Sequence, residues 1–283
     1  MFSRGFKEAM FGPSLLAKVI KHNRIKGQKV SAHRVAYGDN PRQYLLFFLP
    51  ADYNPHYPVV YFIHGGAWRL GSPELFRFIG LFFARLGFPT VLPAYRRAPY
   101  FRHPAQLLDG MAGLVKSIEW AQHQEVRYQG VLLGGYSAGA QLASLIAYTK
   151  KEFLNKHGII IAGLLLLSGP LNFSVCQRKI LKLAILDYLG TIFGWSKADP
   201  IRFLENGGDF PVLCVHGKED TLVDVKNSIS FIDKAKAHGE LANLLLVQGV
   251  SHSDLLEIFW GGLKETPELV KWLEEVACGT EKE

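Results

Sequence analysis

The fold is decided by one stretch of the sequence, Val131-Leu132-Leu133-Gly134-Gly135-Tyr136-Ser137-Ala138-Gly139, which leads into the helix-like run Gln141-Leu142-Ala143-Ser144-Leu145-Ile146-Ala147. Residues 135–139 fit the pattern G-x-S-x-G in the strand–turn–helix setting that this pattern requires. A tight turn lifts the serine hydroxyl above the sheet, and its neighbours must be small because other backbone passes close by. The alternative is a simple strand-to-helix turn rich in small residues. We favour Ser137 as a nucleophile, since a helix beginning there directs its amides toward developing negative charge.

A second glycine motif, His64-Gly65-Gly66-Ala67-Trp68, comes directly after another apolar run. Acyl transfer needs at least two hydrogen-bond donors aimed at the anion of the tetrahedral intermediate. We expect one donor to be the amide of Ala138 and the other to come from Gly65 or Gly66. On its own the motif also fits a glycine turn with Trp68 in the core. The serine pattern downstream favours an oxyanion hole.

Outward from these motifs, strand-like and helix-like segments alternate, which predicts an α/β fold with one mainly parallel, eight-stranded sheet flanked by helices. The expected strands are residues 30–37, 44–49, 59–63, 90–94, 131–133, 159–167, 212–215 and 244–247. The first two are expected to form an antiparallel edge. The expected helices follow Pro73 and cover residues 104–122, 137–149, 225–237 and 267–276.

Two segments stand outside this alternation, although we expect a single domain over residues 1–283. Residues 171–209 lack a strand signal but are rich in aromatic and long apolar side chains, which indicates a small helical cap above the sheet. Residues 1–29 carry apolar stripes at helical spacing, flanked by basic residues. This N-terminal helical segment fits a helix packed on the domain, which we favour, or a basic amphipathic helix lying on a membrane.

A serine nucleophile needs a base, usually histidine, that is itself oriented by a carboxylate. In the expected fold the chain order is nucleophile, acid, histidine. Of the histidines after Ser137, His252 lies in the loop after the last strand, from which a base can reach Ser137. The acid is expected in His216-Gly217-Lys218-Glu219-Asp220, where we favour Asp220 and keep Glu219 and Asp224 as alternatives. Asp254 competes for the histidine, but its closeness in sequence favours a surface role.

Composition sets broader limits on the function. The chain has 283 residues, 48% of them hydrophobic, and a formal net charge of +7. Because the basic residues are scattered and no nucleic-acid motif is present, we expect no nucleic-acid partner. Three cysteines without paired spacing favour a reducing, cytoplasmic location over a disulfide framework. No apolar run is long enough for a transmembrane helix. The oligomeric state is not indicated.

Together, the two motifs, Tyr95-Arg96-Arg97-Ala98-Pro99, the Asp220 segment and His252 resemble the motif set of α/β-hydrolase carboxylesterases. The nearest groups are the hormone-sensitive-lipase-like and arylformamidase-like esterases. The resemblance implies hydrolysis of small-molecule esters or related amides without a metal or organic cofactor. It also implies that Arg96 and Arg97 support the oxyanion loop, the alternative being a substrate carboxylate site.

The chain departs from the hormone-sensitive-lipase pattern at three positions. Tyr136 stands where that group has Asp, Tyr100 where it usually has Glu, and Ala140 where it has Gly. These departures favour the smaller esterase and formamidase-like enzymes and leave the candidate triad intact. The expected function is therefore ester hydrolysis through an acyl-enzyme. The alternatives are an amide hydrolase of the N-formylkynurenine type and a non-catalytic ligand-binding homologue. Candidates for the substrate pocket are aromatic: Trp68, Tyr136, Phe173, Phe193 and Trp195.

Overall fold

The strands form one twisted layer through the middle of the molecule. The structure, a computed structural model, describes residues 19, 21–23, 30–191 and 193–279. Its strands are β1 (Val30–Ala36), β2 (Tyr44–Pro50), β3 (Val59–Ile63), β4 (Thr90–Pro93), β5 (Val131–Tyr136), β6 (Ile161–Leu167), β7 (Val212–Gly217) and β8 (Ala242–Val247).

The strand order is β1-β2-β4-β3-β5-β6-β7-β8. β2 pairs antiparallel with β1 and with β4, and every other pairing is parallel. Six parallel strands therefore end at the same edge, where loops after them meet, the usual place for a site in such sheets. This is the α/β-hydrolase fold, and the expected mainly parallel, eight-stranded sheet is confirmed.

Helices cover both faces of the sheet. They are α1 (Arg77–Arg85), α2 (Ala105–His123), α3 (Ala138–Thr149), α4 (Lys151–Lys156), α5 (Lys179–Leu189), α6 (Lys226–Ala237) and α7 (Thr266–Gly279). Alternate side chains of β3 enter the two cores: Tyr61 and Ile63 join the core under α2 and α3, whereas Val60 and Phe62 join the core under α1 and α7. The sheet is therefore buried on both faces, which explains why its central strands read as continuous apolar runs.

The differences from the expected elements lie mainly at their ends. β5 and β7 extend three and two residues further than their apolar runs, through the glycines and the motif residues that follow. Short elements were not expected: α4 and four 3-10 helices, at Phe173–Val175, Trp195–Ala198, Pro200–Asn206 and Asp254–Trp260. In residues 171–209, apart from Ile192, the structure has α5 and three of these 3-10 helices and no strand.

Most of the predicted N-terminal helical segment lies outside the described residues. The few that are described pack against the domain: Val19 is buried, and the Asn23 side chain bonds to the backbone of Glu74, Leu75 and Phe78. Within the part of the chain that the structure describes, no helix combines the length and apolar character needed to cross a membrane.

Candidate active site

Ser137 occupies the turn between β5 and α3. Its φ of 55° is in the left-handed region that non-glycine residues rarely adopt, and its amide donates to Leu167 O at 2.8 Å. The flanking glycines make the turn possible. A Cβ on Gly139 would lie 1.9 Å from Ile63 O, and a Cβ on Gly135 would lie 2.3 Å from the Gly139 carbonyl carbon. Backbone strain of this kind is found at functional sites, where the surrounding structure holds it in place.

A chain of hydrogen bonds connects Ser137, His252 and Asp220, which are all buried. The Ser137 Oγ lies 3.0 Å from His252 Nε2, and His252 Nδ1 lies 2.7 Å from Asp220 Oδ2. Because a carboxylate only accepts, we assign the imidazole proton to Nδ1, which leaves Nε2 as the acceptor of the serine proton. Ser137 follows β5, Asp220 follows β7 and His252 follows β8, which is the chain order expected from the sequence.

Asp220 is held by more than the histidine of that chain. Its Oδ1 accepts from the amides of Leu222 and Val223 at 2.9 and 2.8 Å. Burial alone would raise the pKa of the Asp220 carboxyl, but the charge of His252 and hydrogen bonds from His216 and His252 outweigh it. They hold the pKa well below its ordinary value. Asp220 is therefore an anion throughout the neutral range.

The other carboxylates weighed for this position have different surroundings. Glu219 is exposed, Asp224 accepts from the amide of Lys226 at the start of α6, and Asp254 bonds to the Ser251 hydroxyl. None of these contacts reaches His252, so Asp220 is the carboxylate at the histidine.

The loop after β3 lies against the serine turn. A Cβ on Gly65 would lie 2.7 Å from the Tyr136 ring and 3.1 Å from Ser137 Cβ, so only glycine allows this approach. Gly66 has a φ of 133°, which also requires glycine. In the described residues, the amides of Gly65, Gly66 and Ala138 donate no backbone hydrogen bond outside the regular helices and strands.

His64, at the start of this loop, stabilises it. It is buried, its ring stacks on Tyr95 at 4.5 Å, and its Nδ1 donates to Gly65 O at 2.7 Å. Burial lowers its pKa to about 4, so the ring is neutral near pH 7. Arg97 donates to the carbonyl of Gly71 in the same loop, while Arg96 forms a bidentate pair with Asp109. Arg97 thus supports the loop, as the resemblance implied, whereas Arg96 pairs with Asp109 of α2.

The loop is also joined to α5. Trp68 stacks on Tyr188 at 4.4 Å and donates from its ring nitrogen to Gln141 at 3.0 Å. The next residue, Arg69, forms an ion pair with Asp187 of α5. α5 therefore packs directly onto the loop beside Ser137.

A small cavity opens at Ser137 between the loop, α5 and the loop after β7. It is lined by Ala67, Trp68, Ser137, Ala138, Pro170, Ile180, Leu181, Ala184, Leu222 and Val223. Of the five aromatic residues predicted for the pocket, only Trp68 is among them. Phe173 is buried against Trp195, with ring centroids 6.1 Å apart, and Phe193 is 77% exposed. The wall is aliphatic instead, and the available signal was the apolar i, i+1, i+4 spacing of Ile180, Leu181 and Ala184, which places them on one side of a helix.

Tyr136 has a different position from the one expected. Its hydroxyl donates to the carbonyl of His252 at 2.8 Å, and its ring lies 5.1 Å from the imidazole. The residue therefore fixes the backbone of the histidine loop from the position just before the serine. The sequence shows that Tyr136 precedes Ser137, which led to its prediction in the pocket, but it does not show the contact with His252.

His216 is a contact that the sequence analysis missed. Its Nε2 lies 3.2 Å from Asp220 Oδ2 and 3.0 Å from Val223 O, and its Nδ1 lies 2.8 Å from the Ser228 hydroxyl. Since Nε2 faces two acceptors, it carries the proton and supplies Asp220 with a second imidazole donor. The HGKED motif contained this residue, four positions before Asp220.

The fold and the site geometry define a class of protein. It is an α/β-hydrolase with a buried serine–histidine–aspartate hydrogen-bond chain at the carboxyl edge of its sheet. The chain belongs to the BD-FAE family, whose sequence profile matches residues 45–235. The described residues contain no group of three His, Cys, Asp or Glu side chains that could hold a metal ion.

Known proteins similar to this chain include several esterases. Esterase LipC of Mycobacterium tuberculosis is 26% identical over 263 residues, which are 84% of this chain and 62% of the relative. Kynurenine formamidase of Danio rerio is 29% identical over 115 residues, 41% of this chain and 38% of the relative. The chain thus spans less than two thirds of the length of these curated relatives.

Among solved structures, esterase B from Lactobacillus Rhamnosis superposes with a TM-score of 0.75 and 20% sequence identity, covering 94% of this chain and 92% of that one. At that identity the likeness establishes the fold alone. With the family match, the expected resemblance to α/β-hydrolase carboxylesterases is confirmed.

Proposed function

We propose that the protein hydrolyses carboxylic esters through an acyl-enzyme formed on Ser137. The observation that carries the proposal is the continuous hydrogen-bond chain from Ser137 Oγ through His252 to Asp220, with links of 3.0 and 2.7 Å. A serine hydroxyl is a poor nucleophile alone, and a neutral imidazole at this distance makes it a competent one. The esterase names of its relatives support the same reaction.

In the first half of the reaction, Ser137 Oγ bonds to the ester carbonyl carbon while its proton passes to His252 Nε2. The carbonyl oxygen becomes an oxyanion, for which the amides of Ala138 and of Gly65 or Gly66 are the candidate donors. As the intermediate collapses, the bond to the alcohol oxygen breaks and His252 returns the proton to the departing alcohol.

In the second half, water replaces the alcohol. His252 takes a proton from the water as its oxygen bonds to the acyl carbon, and then gives that proton to Ser137 Oγ as the acid departs. Asp220 remains ionised throughout, keeps the imidazole proton on Nδ1 and stabilises the imidazolium.

The cavity favours a small acyl group. Its aliphatic wall comes from α5 and the loop after β7, close around Ser137. No cationic side chain is among its lining residues, so uncharged apolar acyl groups suit it better than carboxylates do.

The first test is turnover of short-chain nitrophenyl esters by Ser137→Ala beside the wild type. We expect kcat/KM to fall by about 10⁴-fold or more. The matched control is Ser144→Ala. This serine is also buried and lies in the helix that follows, and its hydroxyl has no hydrogen-bond partner among the residues that the structure describes. The control should keep its activity. Turnover by Ser137→Ala equal to that of the wild type would refute the assignment.

Hydrolysis of an N-formyl aryl amide is a second candidate, favoured by the partial likeness to kynurenine formamidase. The chemistry would be the same, with an amine as leaving group. Comparing kcat/KM for N-formylkynurenine and for nitrophenyl acetate decides between them. A fluorophosphonate probe tests the remaining alternative, a non-catalytic binding protein, because an inactive Ser137 would not be labelled.

A further inference from the structure

Four large apolar side chains are exposed on α5, the helix that lines the cavity at Ser137, and on the segments at its C-terminal end. Tyr100 is 92% exposed, Phe101 36%, Leu183 44% and Phe193 77%. They are four of the seven large apolar side chains that the described residues expose. Isolated exposed apolar residues are ordinary, but a group on neighbouring segments indicates a contact surface.

Chain connectivity and contacts bring these residues together. The loop before α2 meets the end of α5, where His103 N donates to Tyr188 O at 2.8 Å. A Cβ on Gly190 would lie 2.4 Å from Arg102 Cδ. Tyr100 and Phe101 precede Arg102 directly, and Phe193 follows Gly190 by three residues. Leu183 is seven residues before Gly190, two helical turns back on the outward side of α5.

On the two segments that carry these residues, the charges outside ion pairs are cationic. The exposed cations are Arg102, Arg178, Lys179, Lys182 and Lys197. The carboxylates of the same two segments, residues 96–109 and 176–198, are Asp109 and Asp187, and each is paired with an arginine. We call Tyr100, Phe101, Leu183 and Phe193, with these five cations, the apolar–basic patch.

We propose that the apolar–basic patch docks on an anionic lipid surface. Aromatic and aliphatic side chains enter the boundary between headgroups and acyl chains, while lysine and arginine bind lipid phosphates from the rim. The charge is complementary to anionic headgroups, and no unpaired carboxylate of either segment opposes it. Docking of this patch does not depend on catalysis at Ser137.

The experiment is cosedimentation of the full chain with vesicles of phosphatidylglycerol and phosphatidylcholine, compared with vesicles of phosphatidylcholine alone. We expect binding to the anionic vesicles to be at least tenfold stronger and to fall as salt is added. The double variant Tyr100→Ser/Leu183→Ser should bind the anionic vesicles about tenfold less tightly. In Lys179→Glu/Lys182→Glu, binding should also fall by at least tenfold.

The matched control is Ile160→Ser/Leu241→Ser. These side chains are 74% and 75% exposed, but they precede β6 and β8, at the opposite edge of the sheet. This variant should bind vesicles as the wild type does. Equal binding of the wild type to both vesicle types, full binding by both patch variants, or equal loss in the control would each overturn the proposal. A protein that binds only another protein through the patch would give the first of these results.

Hydrolysis of a dissolved nitrophenyl ester separates this proposal from the proposed function. Tyr100→Ser/Leu183→Ser should keep that activity while losing vesicle binding. If the wild type hydrolyses no ester but binds anionic vesicles through the patch, the lipid proposal stands and the enzymatic one fails.

Discussion

Asp220 is the residue of the candidate site at which we expect a single substitution to disturb the most hydrogen bonds. Its carboxylate accepts from two backbone amides and two imidazoles, and each of those donors needs an acceptor in that place. Asp220→Asn keeps the size and shape of the side chain. Its amide presents either an N–H group or a weaker acceptor to His252 Nδ1, which favours the tautomer with the proton on Nε2. We expect kcat to fall by about 10³–10⁴-fold with little change in KM. Steady-state kinetics measure this, and unchanged kcat would exclude Asp220 as the triad acid.

His216 is expected to hold Asp220 rather than to act on the substrate. His216→Gln places an amide donor near the position of Nε2, whereas His216→Asn reaches only the region of Nδ1. We expect the Asn variant to lose about tenfold in kcat, since a hydrogen bond to a charged group contributes about 1.5–3 kcal/mol. The Gln variant should recover most of that loss. Equal kcat in both variants would show that the Asp220 contact is irrelevant to turnover.

Tyr136 allows a residue-level test with a matched partner. Tyr136→Phe leaves the buried carbonyl of His252 without its donor, and we expect about 1–3 kcal/mol less stability together with lower kcat. Tyr148→Phe also removes a buried tyrosine hydroxyl bond, to Glu240, but far along α3 from the serine. Both variants should lower the melting temperature, whereas only Tyr136→Phe should lower kcat. Equal kcat values would remove Tyr136 from the support of His252.

At the scale of elements, the turn between β5 and α3 tolerates no side chain at Gly139. An added Cβ would collide with Ile63 O. The Gly139 backbone fixes the position of the Cβ, and the oxygen belongs to the backbone of β3, so neither can move cheaply. We expect Gly139→Ala to destabilise the fold by more than about 3 kcal/mol, the range of severe core disruptions. Gly279→Ala is the control, since a Cβ there meets nothing within 4 Å. Chemical denaturation of the two variants measures the difference, and a stable Gly139→Ala would contradict the turn geometry.

α5 is expected to set the size of the acyl group. Leu181 faces the cavity and Leu183 faces outward on the same helix. Leu181→Ala should raise kcat/KM for hexanoyl relative to acetyl nitrophenyl esters by about tenfold. The variant leaves apolar space for a longer acyl chain, and each methylene buried in such a pocket contributes about 1–3 kcal/mol. Leu183→Ala should leave the ratio unchanged. If the ratio moves equally in both variants, α5 does not line the acyl site.

These elements also show how far sequence reasoning reaches. The strands, the helices and the serine turn follow from apolar periodicity and local motifs, and the structure has them within a few residues. The aliphatic wall of α5, the donor role of His216 and the partner of Tyr136 did not follow. The α5 wall and the partner of Tyr136 depend on contacts between segments 40 or more residues apart. The donor role of His216 depends on how the loop after β7 turns Asp220 back toward it, which a spacing of four residues does not show. The catalytic roles themselves stay predictions.

At the scale of the whole molecule, Asp199 links stability to pH. It is buried, accepts from Phe173 N at 2.9 Å, and burial raises its pKa to about 6. A carboxyl that holds its proton more tightly when folded stabilises the fold below its ordinary pKa, and this contribution is lost as pH rises through about 6. Asp199→Asn keeps the acceptor without the buried charge. We therefore expect its free energy of unfolding at pH 7.5 to exceed that of the wild type by up to about 3 kcal/mol. Denaturant unfolding measures this as a higher midpoint concentration.

The same pair should converge in acid. Near pH 4 the wild-type carboxyl is largely protonated when folded, so the two proteins should unfold at similar denaturant concentrations. A variant that is less stable than the wild type at pH 7.5 would show that the Asp199 charge stabilises the fold, through Arg202 for example, which lies 3.9 Å away.

The ion pair between Arg69 and Asp187 joins α5, the helix proposed to bound the acyl group, to the loop proposed to face the ester carbonyl. An acyl chain long enough to displace α5 would therefore also displace the loop glycines from their position at Ser137. Bulky substrates would then be selected against in the chemical step rather than in binding. Chain-length preference in such an enzyme would appear as a decline in kcat at constant KM, a form of discrimination that works even when every substrate is saturating.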